Sequence, residues 1–303
     1  MRIGLTGWAS TPDKIVAQAQ TAEADGFHAL WYASAVQGDP LVAMALAGRA
    51  TDRIELGTAV LQTYPCHPML QAHRAASVAS AFGRPGFTLG IGPSHRSLVQ
   101  GTYGLPYDHP GRNTDEYLTI LTRLLRGDAV DVDGEDWSAH APEQSVATEH
   151  PVPVLVAALG PRLLRLAGAQ ADGVILWMAP PKAIETHVVP TLTAAADDAG
   201  RPAPRVVAGL PVAVHDDIDE ARAAVAATAT IYATQPNYQR ILQVGGAATP
   251  ADAAIIGNEA SVRQQLRSVI DAGATDLWLN IVTAGDDPRS SARRTRDLLR
   301  ALL

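Results

Sequence analysis

Eight short apolar segments, each followed by a longer stretch in which apolar residues recur at helical spacing, constrain the fold of this 303-residue chain most strongly. Strands with near-continuous apolar sequence are typical of parallel sheets that are covered on both faces. Eight strand–helix units in succession predict an α/β protein with a closed (β/α)8 barrel, or TIM barrel. An open, doubly wound sheet is the alternative, but the Gly-x-Gly-x-x-Gly motif of dinucleotide-binding sheets does not follow the first segment.

The apolar segments also set the expected boundaries. We expect strands at residues 2–6, 28–32, 54–62, 87–92, 152–158, 173–178, 205–214 and 276–281. The whole chain, residues 1–303, is predicted to form a single barrel domain. Insertions are expected near residues 101–111, 127–150 and 234–257. Within the last insertion we expect a loop at residues 245–257, and we expect residues 232–245 to act as a lid over the pocket.

Composition and charge exclude several classes of function. The net charge is −7 and the basic residues form no stripe, so we expect no nucleic-acid partner. No apolar run approaches the roughly 20 residues of a membrane-spanning helix, and we expect no membrane association. The lone cysteine, Cys66, suits a reducing compartment, and the first residues lack the pattern of a signal peptide. We therefore expect a cytoplasmic protein.

The ends of the predicted strands carry small residues where many enzymes place acids, bases or metal ligands. The ends of the third, fourth and fifth strands are Ala59-Val60, Gly90-Ile91-Gly92 and Ala157-Ala158. Active sites of such barrels lie at these ends, so we expect no metal site. The lysines Lys14 and Lys182 fall in or beside helices, which argues against a Schiff base. A bare strand end lets a flat cofactor lie against the backbone and supply the chemistry.

Aromatic residues and two glycine-containing turns are the candidate binding groups. Tryptophans on or beside strands one, two, six and eight either wall a planar ring or belong to the barrel core: Trp8, Trp31, Trp177 and Trp278. Exposed backbone N–H groups at the start of a helix favour an anion. Two segments suit a phosphate in this way, Gly92-Pro93-Ser94 and Gly160-Pro161-Arg162, the second with added charge from arginine. The alternative for the second segment is a plain helix start with a solvated arginine.

His95 follows the fourth predicted strand directly. Imidazole titrates near neutral pH, so this residue is a candidate general acid at the barrel mouth. A surface or structural histidine is the alternative interpretation.

Several short motifs, spread along nearly the whole chain, are informative when they are taken together. They are residues 56–60, 67–68 and 87–92, then 92–95 with 104–107, then 158–162, 171–173 and 271–276. This combination resembles the luciferase-like monooxygenase superfamily, in its branch of coenzyme F420-dependent oxidoreductases and within it an actinobacterial subgroup.

The resemblance implies a (β/α)8 barrel, often a homodimer, that binds the deazaflavin F420 at its mouth. It implies a cis peptide bond between Ala59 and Val60, which with Thr58 would form the floor behind the cofactor ring. The phosphate site would be formed by residues 92–94 and 160–162, and the four tryptophans would line the substrate pocket.

Two departures from the family pattern bear on the reaction. F420-dependent dehydrogenases of this fold carry an Asp or His after strand two, where this chain has Tyr32-Ala33-Ser34-Ala35. Some also carry a Glu after strand four, where this chain has His95. The missing base favours a reductase that transfers a hydride from F420H2 to an activated C=C or C=N bond, with His95 or water as the proton donor. The alternatives are an FMN-dependent monooxygenase and a non-catalytic ligand-binding barrel.

Overall fold

The computed structural model describes residues 1–33 and 38–303 of the chain. Its strands are β1 (Arg2–Thr6), β2 (Ala29–Tyr32), β3 (Glu55–Thr58), β4 (Leu61–Gln62), β5 (Phe87–Gly92), β6 (Val130–Asp133), β7 (Ser138–Ala141), β8 (Val154–Ala157), β9 (Gly173–Trp177), β10 (Arg205–Val214), β11 (Ile255–Gly257) and β12 (Asp276–Ile281).

Eight of these strands form a closed parallel barrel. The order around the ring is β10, β12, β1, β2, β3, β5, β8 and β9, and β9 pairs again with β10. Each neighbouring pair is parallel, so the carboxyl ends of all eight strands meet at one mouth. The predicted (β/α)8 barrel is therefore confirmed.

The helices surround this ring. They are α1 (Pro12–Ala24), α2 (Pro40–Arg49), α3 (Pro68–Phe82), α4 (Arg96–Gly101), α5 (Pro110–Arg126), α6 (Pro161–Gln170), α7 (Pro181–Ala183), α8 (Val189–Asp198), α9 (Ile218–Thr228), α10 (Thr230–Ala233), α11 (Pro236–Gly245), α12 (Glu259–Asp271) and α13 (Pro288–Arg300). Most start with proline in the first turn, where its missing N–H costs no helical hydrogen bond. No helix in the described ranges has both the length and the apolar character needed to cross a membrane.

Side chains along each strand point alternately into the barrel and toward the helices, which gives an inner core and an outer core. On β12, Leu277 and Leu279 pack in the large core between strands and helices, whereas Trp278 points into the barrel. The inner cluster consists of Ala29, Trp31, Ala59, Leu155, Ile175, Val207 and Trp278. The barrel interior is therefore a packed plug beneath the mouth and not a channel.

A network of charged side chains closes the opposite, amino-terminal end of the barrel. Arg2 donates to Glu55 (2.7 Å) and to Asp276 (2.8 Å), and Arg205 donates to the same two carboxylates at 2.9 and 2.7 Å. The hydroxyl of Thr88 donates to Glu55 at 2.6 Å. Both carboxylates are buried, and each is paired with two guanidinium groups, which links strands β1, β3, β10 and β12.

Two predicted elements differ from the structure. The strand predicted at 54–62 is interrupted: β3 and β4 are separated by Ala59–Val60, which is a cis peptide, as the family resemblance implied. The predicted loop at 245–257 contains a 3₁₀ turn (Pro250–Ala253) and the short strand β11, which pairs with the end of β10. The segment 127–150 contains the antiparallel hairpin β6–β7.

Candidate active site

The floor of the mouth lies at the ends of β3 and β5 and admits only small residues. A side chain on Gly90 would place its Cβ 1.9 Å from the carbonyl oxygen of Thr58. A Cβ on Gly92 would lie 2.9 Å from the Cβ of Ala157 and 3.1 Å from Val60. Because real Cβ contacts are longer, both positions require glycine, and the floor stays flat enough to receive a planar ring.

The side chain of Thr58 forms hydrogen bonds between two strands of the barrel wall. Its side chain is fully buried, and its hydroxyl donates to the carbonyl of Gly90 at 2.7 Å while it accepts from the amide of Gly90 at 2.8 Å. The hydroxyl therefore ties β3 to β5 and is not available for a ligand. The resemblance places Thr58 in the floor behind a cofactor ring, and this bonding shows that its hydroxyl would shape that floor without contacting the ring.

The segment after β5 is held in an unusual turn. Ser94 has φ of 65°, in the left-handed region that non-glycine residues seldom occupy. The hydroxyl of Tyr107, from the segment predicted as an insertion, donates to the Ser94 carbonyl at 2.9 Å. Tyr107 also stacks under the Arg96 guanidinium at 5.5 Å. This turn places Pro93 and Ser94 at the edge of the floor, where the resemblance implies a phosphate.

A cationic corner forms at the start of α6. Gly160 is the N-cap and has no side chain to satisfy the first N–H groups of the helix. Arg162 lies so close to α5 that a Cβ on Gly111 would be 2.4 Å from its Nε. Nη1 of Arg240 lies 3.7 Å from the Cβ position of Gly160. The helix end and two guanidinium groups therefore favour an anion at this corner; sequence reasoning missed Arg240, which belongs to the distant α11.

His95 is partly buried beside the floor and precedes α4. Burial lowers the pKa of its imidazole below the ordinary 6.5. Within the described ranges the ring makes no hydrogen bond, and its nearest aromatic neighbour is Tyr238, with ring centroids 6.1 Å apart. The imidazole is therefore mostly neutral at pH 7, and its nitrogens remain available to a bound molecule.

Trp31 does not wall the pocket. Only 1% of it is exposed, and its ring lies between two glycines: Cβ positions on Gly4 and Gly57 would meet its Nε1 at 2.8 Å and its Cζ3 at 2.2 Å. The ring fills the barrel below the mouth and belongs to the inner core, which is the alternative that the sequence had left open.

Trp8 and Trp177 lie at the mouth, and Trp278 of the inner core packs against Trp177. Trp177 and Trp278 form a tilted pair with ring centroids 5.0 Å apart. The benzo edge of Trp278 lies over Gly209, where a Cβ would be 2.3 Å from its Cε3. Trp8 follows β1, is 70% exposed, and donates from Nε1 to Oδ1 of Asn280 at 2.9 Å. This wall is aromatic on the side of the ring that runs from β9 through β10 and β12 to β1.

Two tyrosines from the segment predicted as a lid complete the aromatic wall. Tyr232 of α10 and Tyr238 of α11 have ring centroids 4.8 Å apart, and Tyr232 lies 6.1 Å from Trp177. A continuous run of rings therefore links Trp278 to His95 through this segment. The sequence signal for both tyrosines was their position within residues 232–245, but nothing local indicated that they would face the mouth.

The mouth offers few acids or bases. The last residues of the eight described barrel strands include no carboxylate. In the part of the chain that the structure describes, no group of three or more His, Cys, Asp or Glu residues is placed to hold a metal ion. Of the segment after β2 where related dehydrogenases carry a base, Ser34 and Ala35 lie outside the described residues.

Comparison with known proteins agrees with this architecture. The profile of the luciferase-like monooxygenase family matches residues 2–302. The chain is 30% identical over 285 residues to the F420-dependent hydroxymycolic acid dehydrogenase of Mycobacterium tuberculosis, covering 86% of this chain and 77% of that protein. It is 27% identical over 290 residues to 5,10-methylenetetrahydromethanopterin reductase of Methanolobus tindarius, covering 94% and 86%.

Solved structures of the same fold include a flavin enzyme. The oxygenating constituent of 3,6-diketocamphane monooxygenase from Pseudomonas putida, in complex with FMN, superposes with a TM-score of 0.73 at 18% identity, covering 99% of this chain and 96% of that one. This likeness shows the fold. The chain belongs to the luciferase-like monooxygenase family, and F420-dependent oxidoreductases are among its relatives.

Proposed function

We propose that this protein is a reductase that uses coenzyme F420 to transfer a hydride to an activated C=C or C=N bond of a small molecule. The observation that carries the proposal is the flat glycine floor beside one partly buried imidazole, at strand ends without carboxylates. Such a site binds and orients two planar reactants and supplies one proton, while the cofactor supplies the electrons.

The residues of the mouth fit a deazaflavin with a phosphate-bearing tail. Ala59 and Val60 would support the ring, and Gly92 leaves it room. Arg162 and Arg240, together with the start of α6, would neutralise the phosphate. Reduced F420 supplies a hydride when bound, and a relative of this chain is named as F420-dependent. The protein itself would orient the cofactor and the substrate relative to each other, and α10 and α11 would exclude water from the site.

The ends of the barrel strands support the reductive direction. His95 is mostly unprotonated at neutral pH, but burial lowers its pKa and so also weakens it as a base. Oxidation of an alcohol needs a base for the hydroxyl proton, and the barrel strands end without a carboxylate in the described residues. Reduction needs a proton donor instead, which His95 or water provides.

Anaerobic turnover tests the proposal. Reduced F420 is mixed with the protein and with an activated alkene or a cyclic imine, and the return of the oxidised cofactor's visible absorbance is followed. We expect acceptor-dependent oxidation of F420H2. Reduction of F420 by secondary alcohols without any acceptor reduction would instead assign the dehydrogenase direction, and no turnover with either would support a non-catalytic barrel.

An FMN-dependent monooxygenase is the second candidate, favoured by the FMN-bound structure of the same fold. Both candidates use the same flat floor, so they differ in the cofactor that binds and in the use of oxygen. Oxygen uptake that depends on FMNH2 and a substrate, without F420 turnover, would support this second function.

We also propose that the protein is a homodimer through α2 and α3, which pack against each other. Val42 and Leu46 on α2 are 58% and 48% exposed, and Leu70 on α3 is 55% exposed. Exposed large apolar side chains on neighbouring helices are typical of protein interfaces. Hydrophobic groups on a symmetric face pair with the same groups of a second copy.

The variant Val42→Glu/Leu46→Glu is expected to be monomeric in size-exclusion chromatography with light scattering, because charges placed in an apolar interface lose their hydration. Ile218→Glu, at an exposed apolar position on α9, is the matched control and should leave the dimer intact. A wild-type protein that is monomeric throughout, or a double variant that remains dimeric, would contradict this interface.

A further inference from the structure

Asn280 is a polar side chain at an inward position of an otherwise apolar strand end. It lies two residues after Trp278 on β12, and only 7% of it is exposed. Residues two apart on a strand face the same side, so Asn280 lies above Trp278 at the top of the barrel interior. A buried amide at this place has to find hydrogen-bond partners in the protein or in a ligand.

The orientation of the Asn280 amide is fixed by Trp8. An indole Nε1 is a donor only, so the group that accepts from Trp8 at 2.9 Å has to be the Asn280 carbonyl oxygen. The amide nitrogen therefore points away from Trp8. Within the ranges that the structure describes, the bond to Trp8 is the only hydrogen bond of this side chain. Two N–H donors are left for another molecule.

The neighbouring indole adds a second unused donor. Nε1 of Trp278 is buried and has no hydrogen-bond partner in the described part of the chain, and its benzo edge is turned toward Gly209 on β10. Burying a donor without a partner costs about 1–3 kcal/mol. Nε1 of Trp31 and Nε1 of Trp177 are unpaired in the same way. The Asn280 amide, which lies above Trp278 and is 7% exposed, is therefore the group that points to an acceptor-bearing ligand on this side of the barrel.

The donors lie across the mouth from the imidazole. Going round the ring from β12 through β1, β2 and β3 to β5 takes four of its eight steps, so β12 and β5 are on opposite sides. His95 follows β5. A molecule lying across the mouth meets Asn280 at one end and His95 at the other.

We propose that Asn280 binds the carbonyl oxygen of an α,β-unsaturated carbonyl substrate; this inference rests on the proposed reductase function and narrows its substrate class. The β-carbon of the substrate would receive the hydride that bound, reduced F420 supplies, and the C=C electron pair would move toward the carbonyl oxygen. The α-carbon would then take a proton from His95 or water, so the substrate would gain two electrons and the cofactor would be left oxidised. Asn280 stabilises the negative charge that develops on oxygen.

An amide is better suited to activate a carbonyl substrate than to activate an imine substrate. The nitrogen of a C=N acceptor takes up a proton during reduction and so needs an acid beside it. An amide N–H keeps its proton and stabilises an oxygen that carries charge in the transition state. Trp8 is a positioning residue, because it holds the carboxamide with its N–H groups toward the mouth.

Kinetics with two acceptors test the inference, using cyclohex-2-enone as the conjugated carbonyl and 1-pyrroline as the imine. Loss of one preorganised oxyanion donor typically costs about 10²–10³-fold in rate. Asn280→Asp keeps the acceptor for Trp8 but removes the amide donors. We expect Asn280→Asp and Asn280→Ala to lower kcat/KM for cyclohex-2-enone about 10²-fold. Their kcat/KM for 1-pyrroline and their Kd for F420 should stay close to wild type.

Trp8→Phe should lower kcat for the enone without raising its KM, because the amide is still present but no longer held in place. Trp137→Phe is the matched control, because it alters an indole whose aromatic contacts are His67 and Tyr117 and not Asn280. Equal losses for both acceptors in the Asn280 variants, or no enone reduction by the wild-type enzyme, would overturn the inference. Failure of the wild-type protein to bind F420 would instead overturn the proposed function.

Discussion

His95→Asn is expected to lower kcat for acceptor reduction by about 10²–10⁴-fold, the usual contribution of a positioned general acid. The variant keeps a polar group of similar size but cannot carry the transferred proton at any accessible pH. F420 affinity should change little, because the floor and the cationic corner are formed by other residues. Single-turnover oxidation of bound F420H2 measures the effect, and His73→Asn on the exposed face of α3 is the control.

The pH dependence separates His95 from water as the proton donor. Burial lowers the pKa of this imidazole from 6.5, so its acidic form is a minor species at pH 7. The wild-type rate should therefore rise as the pH falls and should level off below pH 6.5, whereas the His95→Asn profile should be flat across that range. An unchanged kcat in the variant, or a wild-type profile without this rise, would assign proton transfer to water.

Glu55→Ala is expected to lower the free energy of unfolding by about 3 kcal/mol, because breaking a buried ion pair leaves its partner charge uncompensated. Arg205 would lose one of its two carboxylates at the closed end of the barrel. The arginines keep some contact with solvent, which holds the cost at the low end of the usual range. Urea denaturation followed by circular dichroism measures the change.

Asp216→Ala is the matched control, because it removes a carboxylate from an exposed pair with Arg294. Pairs of this kind contribute about 0–1 kcal/mol. Equal losses for Glu55→Ala and Asp216→Ala would mean that the buried network does not stabilise the barrel.

The same network makes the free energy of unfolding depend on pH in the acidic range. Burial opposes ionisation of Asp276, but hydrogen bonds from Arg205, Thr275 and Arg2 outweigh it and hold the pKa of this carboxyl below the ordinary 3.8. A carboxyl whose pKa is lowered by folding stabilises the protein above its unfolded pKa and loses that contribution as the pH falls through the folded value. The wild-type protein should therefore lose this part of its stability below about pH 4.

Four strands have the bounds expected from the sequence, namely β1, β5, β10 and β12. Each is a compact apolar run followed by a change of composition, so local pattern was sufficient. The break between β3 and β4 was not visible in the same way, because residues 54–62 read as one apolar segment. Only the family resemblance indicated the special peptide between Ala59 and Val60.

The candidate site was less accessible to sequence reasoning, because it depends on contacts between distant strands. Trp31 occupies an inward position, but its depth follows from Gly4 and Gly57 on the two neighbouring strands, which leave room for its ring. Asn280 gave one unused signal, a polar residue at an inward position of an apolar strand. Its partner Trp8 lies 272 residues away in the chain, and no local pattern predicts that hydrogen bond.

We propose that the glycine floor and the cationic corner together bind a deazaflavin. The most direct test is a pair of titrations, with F420 and with FMN, in which fluorescence quenching of each cofactor reports binding to the purified protein. We predict saturable quenching of F420 at one site per chain and binding of FMN weaker by about tenfold or more, which corresponds to about 1.4 kcal/mol. Tighter binding of FMN, or no quenching of F420 at any protein concentration, would contradict the account.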